Sequence, residues 1–155
     1  MSELIINYQD HTNLNTLDNS LKNLVAQARA VALRSYAPYS KFHVGAAVEM
    51  TDGTIVLGSN QENIAYPSGL CAERTALFYA GANYPDHVIK RIVIVAKGDL
   101  VDENAIISPC GSCRQVMVES ATRQKQPYEV YLISQNDRTV HIPNVFQLLP
   151  FYFGE

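Results

Sequence analysis

The sequence predicts one α/β domain, a three-layer α/β/α sandwich around a mixed sheet of about five strands. Short apolar runs alternate along the chain with segments of helical spacing, an order typical of layered α/β domains. Of the 155 residues, 47% are hydrophobic and 17% are charged, values typical of a globular chain. We therefore expect residues 1–155 to form one domain, with residues 1–15 as a loosely docked extension because they lack periodicity.

The first half of the chain predicts a helix followed by a β-hairpin. Apolar residues recur at helical spacing over residues 17–32, with Thr16 in position to cap the helix, which ends before Pro38. Residues 42–59 predict two strands that meet at a Thr-Asp-Gly turn at 51–53. The two strands are therefore expected to be antiparallel neighbours.

The second half predicts strands joined by helical crossovers. Its elements are a polar loop at 60–70, a helix at 71–81, a strand at 92–96, a helix at 110–122, strands at 129–134 and 139–142, and a brief helix at 144–149 that Asn144 would cap. The strand at 92–96 is a continuous apolar run, as expected of a strand covered on both faces. Crossover connections make strands parallel, so a mixed sheet follows.

Composition excludes several classes of partner. The net charge is −3, with 12 Lys and Arg among 15 acids, which argues against nucleic acid because binding a phosphate backbone needs a basic face. No stretch approaches the roughly 20 apolar residues of a membrane span. Three cysteines cannot all pair in disulfides, which favours a reducing cytoplasm. We expect a small, largely neutral substrate.

The cysteines form two clusters that predict a metal site. Cys110 and Cys113 belong to a Pro-Cys-Gly-Ser-Cys segment, and Cys71 begins a Cys-Ala-Glu-Arg segment. A helix N-terminus favours thiolate, the form that binds metal. Zinc takes about four ligands, so three cysteines leave one position open to water, whose pKa zinc lowers towards ~7. Glu73 is placed to move the proton of that water.

Two other interpretations compete with an open zinc site. A Cys-x-x-Cys pair is also typical of redox proteins, but the intervening Gly-Ser provides no tuning group. A zinc that only stabilises the fold of a binding module would need a fourth protein ligand. The candidates are His11, His43, His87 and His141, and none has ligand spacing to a cysteine. That interpretation also leaves Glu73 without a role.

These two clusters carry a family resemblance. They match the zinc deaminase signature, His-or-Cys-x-Glu followed by Pro-Cys-x-x-Cys. Over residues 36–153 the chain resembles the cytidine deaminase family in its short, single-domain, three-cysteine form. The resemblance implies one zinc per chain on Cys71, Cys110 and Cys113. It implies that Glu73 is the catalytic proton carrier in hydrolysis of cytidine and 2′-deoxycytidine to the uridines and ammonia, in pyrimidine salvage.

The resemblance also implies substrate contacts and assembly. The segment from Asn60 to Asn63 resembles an Asn-x-Glu-Asn loop whose first Asn and Glu bind ribose hydroxyls, and Arg74 is expected to donate to the sulfurs. The implied substrate-binding residues are Phe42, Asn60, Glu62, Tyr66, Ala72 and Phe153. A homotetramer with active sites at subunit interfaces is implied, because the C-terminal phenylalanine in the family reaches a neighbouring subunit's site.

Two positions depart from the family pattern, and one rival substrate class stays open. Gln61 stands where isoleucine is usual and Ile64 where alanine is common, which bears on substrate preference. A deaminase of an antibiotic nucleoside such as blasticidin S would use the same zinc chemistry. The Asn60–Glu62 pair and Arg74 count against that alternative.

Overall fold

The computed structural model describes residues 1–154 and contains three α-helices and six strands over that range. In chain order these are β1 Gln9–His11, α1 Asn19–Ala32, β2 His43–Met50, β3 Ile55–Ser59, α2 Ala72–Asn83, β4 Ile89–Lys97, α3 Gly111–Arg123, β5 Glu129–Ile133 and β6 Thr139–Ile142. Single 3-10 turns occur at Leu14–Thr16, Tyr66–Ser68 and Val145–Leu148.

The strands form one mixed sheet in the order β1-β6-β5-β4-β2-β3. β4 and β5 are parallel neighbours joined by α3, whereas β2 pairs antiparallel with both β3 and β4. A parallel pair needs a crossover connection, and α3 supplies it. The mixed α/β architecture predicted from the sequence is therefore confirmed.

Helices cover both faces of the sheet. On one face α1 packs against the alternate strand residues Val93 and Tyr131, and on the other α2 and α3 pack against Ile92 and Ile94. The centre of β4 is thus buried on both sides, as its unbroken apolar run predicts. With α1 on one side and α2 and α3 on the other, the fold has three layers.

The sixth strand is the main difference from the predicted sheet of about five strands. β1 pairs antiparallel with β6, and Asp10 accepts two hydrogen bonds from Arg138, at 3.0 and 2.6 Å. The β1 residues are Gln-Asp-His, so no apolar alternation marks the strand. Backbone pairing and an ion pair hold it instead, and neither is visible in a hydrophobic pattern.

Helix boundaries differ by a few residues for local reasons. The prediction that Thr16 caps α1 is wrong, because Thr16 lies in the preceding 3-10 turn and Asp18 accepts from Leu21 N at 2.8 Å. α2 continues to Asn83 instead of ending at 81, since Gly81 is tolerated within the helix. Asn144 caps the turn that follows it, as predicted, by accepting from Phe146 N at 3.0 Å. Within residues 1–154, no helix combines the length and apolarity of a membrane span.

Candidate active site

Two helix N-termini on the same face of the sheet bring the cysteines together. Cys71 is the N-cap residue of α2, Cys110 is the N-cap residue of α3, and Cys113 lies in the first turn of α3. The three sulfur atoms all lie within 4.8 Å of one another, and the Cys110 and Cys113 sulfurs are 3.5 Å apart. The prediction that both clusters meet at one point is confirmed.

The donor set fits zinc with an open position. Tetrahedral Zn–S bonds of about 2.3 Å place sulfurs about 3.8 Å apart, close to the spacing of this cluster. Over the described range, the only His, Cys, Asp or Glu residues that group in this way are the three cysteines. A structural zinc site would need a fourth protein ligand. The cluster therefore has the ligand count of a catalytic zinc site.

Arg74 offsets negative charge at the sulfurs. Its Nη2 lies 3.9 Å from the Cys71 sulfur, within the range of a weak N–H···S hydrogen bond. Hydrogen bonding from Cys113, supported by Arg74, lowers the pKa of Cys71 to about 5, whereas donating to Cys71 raises the pKa of Cys113. Arg74 Nε is buried without a hydrogen-bond partner in residues 1–154, so the guanidinium has a further donor beside the cluster.

Glu73 is a buried carboxylic acid beside the sulfurs. It is only 5% exposed, and burial raises its pKa to about 6, with a further contribution from the Cys71 thiolate. Hydrogen bonding to Cys113 lowers the pKa of Glu73 and so acts against the effect of burial. A carboxyl group with a pKa near neutrality is suited to both accepting and donating a proton.

A close backbone approach sets the position of the first turn of α2. A Cβ atom added at Gly58 would lie 2.5 Å from Ala72 O and 2.6 Å from Ala76 N. Only glycine therefore lets the end of β3 pack this closely on α2. Ala72 itself is fully buried. The contact holds Cys71 and Glu73, the neighbours of Ala72, against the edge of the sheet.

The loop that precedes α2 places two predicted sugar ligands near Cys71. Gln61 and Leu70 exchange backbone hydrogen bonds of 2.9 Å in both directions. Because Leu70 directly precedes Cys71, this pairing brings both neighbours of Gln61, which are Asn60 and Glu62, to the start of α2. Their role as substrate ligands stays a prediction.

Asn60 also holds the predicted pocket phenylalanine. Its Oδ1 accepts from Val44 N at 2.7 Å and its Nδ2 donates to Phe42 O at 2.9 Å. The Phe42 ring lies against Gly98, where an added Cβ would be 2.9 Å from the ring. Phe42 is half-buried at the start of β2, and its role in substrate binding remains a prediction.

Tyr66 and Phe153 remain solvent-exposed in the single chain. Each residue is 91% exposed, so neither ring is packed into the chain. The Phe153 backbone is nevertheless held, because the Gln115 side chain donates to Phe153 O at 2.7 Å and accepts from Phe153 N at 3.1 Å. The tail is thus fixed against α3 while its ring points outward.

The structure adds two residues that sequence reasoning did not assign. Arg114 donates to Pro109 O at 2.9 Å and to Leu148 O at 3.1 Å, which anchors the loop before Cys110. Ser40 donates to the carboxylate of Glu62. Arg114 directly follows Cys113, a placement that indicates a supporting role, whereas nothing in a short polar turn distinguishes Ser40.

Three sulfur ligands at two helix N-termini, with a buried acid beside them, define a zinc-dependent hydrolytic enzyme of the deaminase type. Comparison with known families agrees. Residues 18–127 match the family model for the cytidine and deoxycytidylate deaminase zinc-binding region. The chain belongs to this family and has one zinc site.

Individual relatives support this assignment. The chain is 38% identical to a cytidine deaminase of Sporosarcina psychrophila over 135 residues, which cover 87% of this chain and 92% of the relative. It is 40% identical to one of Halalkalibacterium halodurans over 105 residues, covering 68% and 75% respectively. The crystal structure of the cytidine deaminase from Burkholderia pseudomallei superposes with a TM-score of 0.72 at 40% identity, covering 85% of this chain and 98% of that one.

Proposed function

We propose that this chain catalyses the hydrolytic deamination of cytidine and 2′-deoxycytidine to uridine and 2′-deoxyuridine, with release of ammonia, in pyrimidine salvage. The observation that carries the proposal is the cluster of Cys71, Cys110 and Cys113 with buried Glu73 beside it. The family assignment and the relatives named as cytidine deaminases support the same reaction.

The three cysteines would hold zinc, which when bound lowers the pKa of water and so supplies a nucleophile at neutral pH. Glu73 accepts the proton of the water that adds to C4 of the pyrimidine and delivers it to N3. It then takes the remaining proton from the added hydroxyl group and gives it to the amine, so that the C4–N bond breaks, ammonia leaves and C4 becomes a carbonyl carbon. These transfers need one carboxyl group within hydrogen-bond reach of water and ring, in a pocket that excludes bulk water. The burial of Glu73 is consistent with that requirement.

The unused hydrogen-bonding capacity of Asn60 and Glu62 supports both sugars as substrates. Glu62 Oε2 already accepts from Tyr39 N and Ser40 N, and Oε1 accepts from Ser40 Oγ, which leaves one lone pair on Oε1. Asn60 retains one N–H and one lone pair. One sugar hydroxyl can therefore donate to Glu62 and accept from Asn60. The 3′-hydroxyl, common to ribose and 2′-deoxyribose, meets that need.

The same carboxylate disfavours nucleotides and polymers phosphorylated at this hydroxyl. A phosphate there would approach Glu62, and the two negative charges would repel each other. The hydrogen bond from Ser40 lowers the pKa of Glu62, so its negative charge is present at neutral pH. We therefore propose a free nucleoside as substrate.

We further propose a homotetramer whose active sites are completed at subunit interfaces. Aromatic side chains at the chain end and in the loop before α2 are unusually exposed, namely Tyr66, Phe151 and Phe153, at about nine-tenths each. Large exposed apolar side chains mark interaction surfaces. Gln115 fixes the tail, so the Phe153 ring would be presented to a neighbour in a defined position. The three free thiols are consistent with a reducing cytoplasm.

The test is a substrate panel on the purified protein. Cytidine, 2′-deoxycytidine, cytosine and deoxycytidylate are incubated separately, and loss of the aminopyrimidine absorbance band is followed. We expect comparable turnover of cytidine and 2′-deoxycytidine. Turnover of the free base cytosine and of the nucleotide deoxycytidylate should be much lower. Turnover of deoxycytidylate above that of both nucleosides would contradict the proposal. A Phe153→Ala variant, with sedimentation measured beside KM, tests whether the tail acts in the assembly.

A further inference from the structure

A tight turn beside the loop of Glu62 supplies the donors that its carboxylate accepts from. Residues 37–41 form it, closed by a 3.1 Å hydrogen bond from Lys41 N to Ala37 O. Lys41 has a φ of 56°, an unfavourable left-handed conformation for a residue with a Cβ. Unfavourable backbone geometry that the surrounding structure maintains is concentrated at functional sites.

This turn holds the Glu62 carboxylate with three donors. Oε2 accepts from Tyr39 N at 2.9 Å and from Ser40 N at 3.3 Å, and Oε1 accepts from Ser40 Oγ. Successive backbone N–H groups in a turn form a cradle for an anion. The hydroxyl of Ser40 is the only side chain among these donors, so it alone can be removed by substitution.

Ser40 also connects Glu62 to the predicted pocket phenylalanine. Its Oγ accepts from Phe42 N at 3.0 Å while it donates to Glu62. Phe42 O in turn accepts from Asn60. One hydroxyl therefore links the residue proposed to contact the base with the two residues proposed to contact the sugar.

We propose that Ser40 is a positioning residue for nucleoside recognition, which orients Glu62 so that the free lone pair of Oε1 faces the sugar hydroxyl. This inference rests on the proposed function. Ser40 does not touch the substrate in this scheme, and it acts on binding through Glu62. Without the hydroxyl, Oε1 loses its one protein donor and the carboxylate can rotate or become solvated.

The decisive experiment compares Ser40→Ala with wild type on cytidine and on 2′,3′-dideoxycytidine. We expect KM for cytidine to rise about tenfold, the effect of one hydrogen bond to a charged group, with kcat within about twofold. For 2′,3′-dideoxycytidine, which lacks the recognised hydroxyl, we expect KM to change less than about twofold. Ser40→Thr retains a hydroxyl and should restore most of the cytidine KM.

The matched control is Ser20→Ala. Its Oγ accepts from the Arg91 guanidinium at 2.7 Å, so the substitution also removes one hydroxyl that bonds a charged group. Ser20 and Arg91 lie near the start of β4. The turn of residues 37–41 lies near His43, which pairs with Lys97 at the opposite end of β4, so the control site is remote from the turn. We expect no change in KM for either substrate in this variant.

A second readout does not depend on turnover. The Glu62 carboxyl group is titrated by NMR in wild type and in Ser40→Ala. Hydrogen bonding from Ser40 holds the pKa of Glu62 below its usual range, so that pKa should rise in the variant. His43 also lowers the pKa of Glu62 through its charge. Because His43 is present in both proteins, it does not affect the comparison.

Two results would overturn the role of Ser40. One is an equal KM penalty on cytidine and on the dideoxy analogue, which would indicate a general structural defect. The other is an unchanged pKa of Glu62 in the variant, which would show that the hydroxyl does not hold the carboxylate. Wild-type protein that is inactive on cytidine would instead overturn the proposed function, so the two failures are distinguishable.

Discussion

Replacement of Glu73 by Gln separates the chemistry of the site from its stability. The amide has nearly the shape of the carboxyl group, so it removes proton transfer without opening a cavity at this buried position. General acid–base catalysis contributes about 10²- to 10⁴-fold. Because one carboxyl group serves several transfers, we expect kcat to fall at least about 10³-fold, which corresponds to about 4 kcal/mol of barrier.

The same substitution should stabilise the zinc-free protein at neutral pH. Burial raises the pKa of Glu73 from 4.5 to about 6, so the ionised form is disfavoured in the folded state. At about 1.4 kcal/mol per pKa unit, ionisation of Glu73 above pH 6 lowers the free energy of unfolding by about 2 kcal/mol. The stability linked to protonated Glu73 is fully present below pH 4.5 and is lost as pH rises through about 6. Gln has no such dependence.

The assay combines three measurements on each protein. These are deamination of cytidine by ultraviolet absorbance, zinc content, and denaturant unfolding after chelation at pH 7.5 and pH 4.5. We expect Glu73→Gln to retain one zinc per chain, because the residues that would hold the zinc are the three cysteines. Its stability should exceed that of wild type only at the higher pH. A kcat within about threefold of wild type would refute the assignment of Glu73 as the proton carrier.

Two further predictions concern the charge at the sulfurs and the edge of the sheet. Arg74→Gln should weaken zinc binding by about tenfold in chelator competition, because Arg74 donates to Cys71. The control Arg29→Gln breaks an exposed ion pair and should leave zinc affinity unchanged. A zinc affinity of Arg74→Gln equal to that of wild type would contradict this role. Burial lowers the pKa of His141; the charge of Glu129 raises that pKa and the charge of His11 lowers it further. The neutral form of His141 therefore stabilises the fold above about pH 6.5, and this stability is lost as pH falls. His141→Gln should therefore flatten the decline in unfolding free energy between pH 7.5 and pH 5.5, and an unchanged slope would exclude His141 as its source.

Patterns with strong local signals were predicted well from the sequence. The apolar run of β4 and the spacing of α1 require burial, so the three layers follow from periodicity alone. The zinc ligands were identifiable because the only three cysteines stand in two motifs of known metal chemistry. Their meeting point was inferred from chemistry and is confirmed by the sulfur spacing.

Features that depend on partners distant in sequence were not predicted. β1 pairs with β6 across more than a hundred residues, and its residues carry no apolar pattern. The assignment of the α1 cap to Thr16 failed because Thr16 and Asp18 are both good capping residues, and the chain path selects between them. Ser40 was missed because a polar turn has no distinguishing composition.

The sequence by itself determined the metal chemistry and the layer order, because ligand type and hydrophobic period are properties of the residues themselves. The tertiary structure alone decided how deeply Glu73 is buried, how close α2 approaches β3 at Gly58, and which donors hold Glu62. Each of these depends on distances between segments that are separated along the chain. Burial and hydrogen bonding act over a few ångströms, and only the folded chain sets distances at that scale.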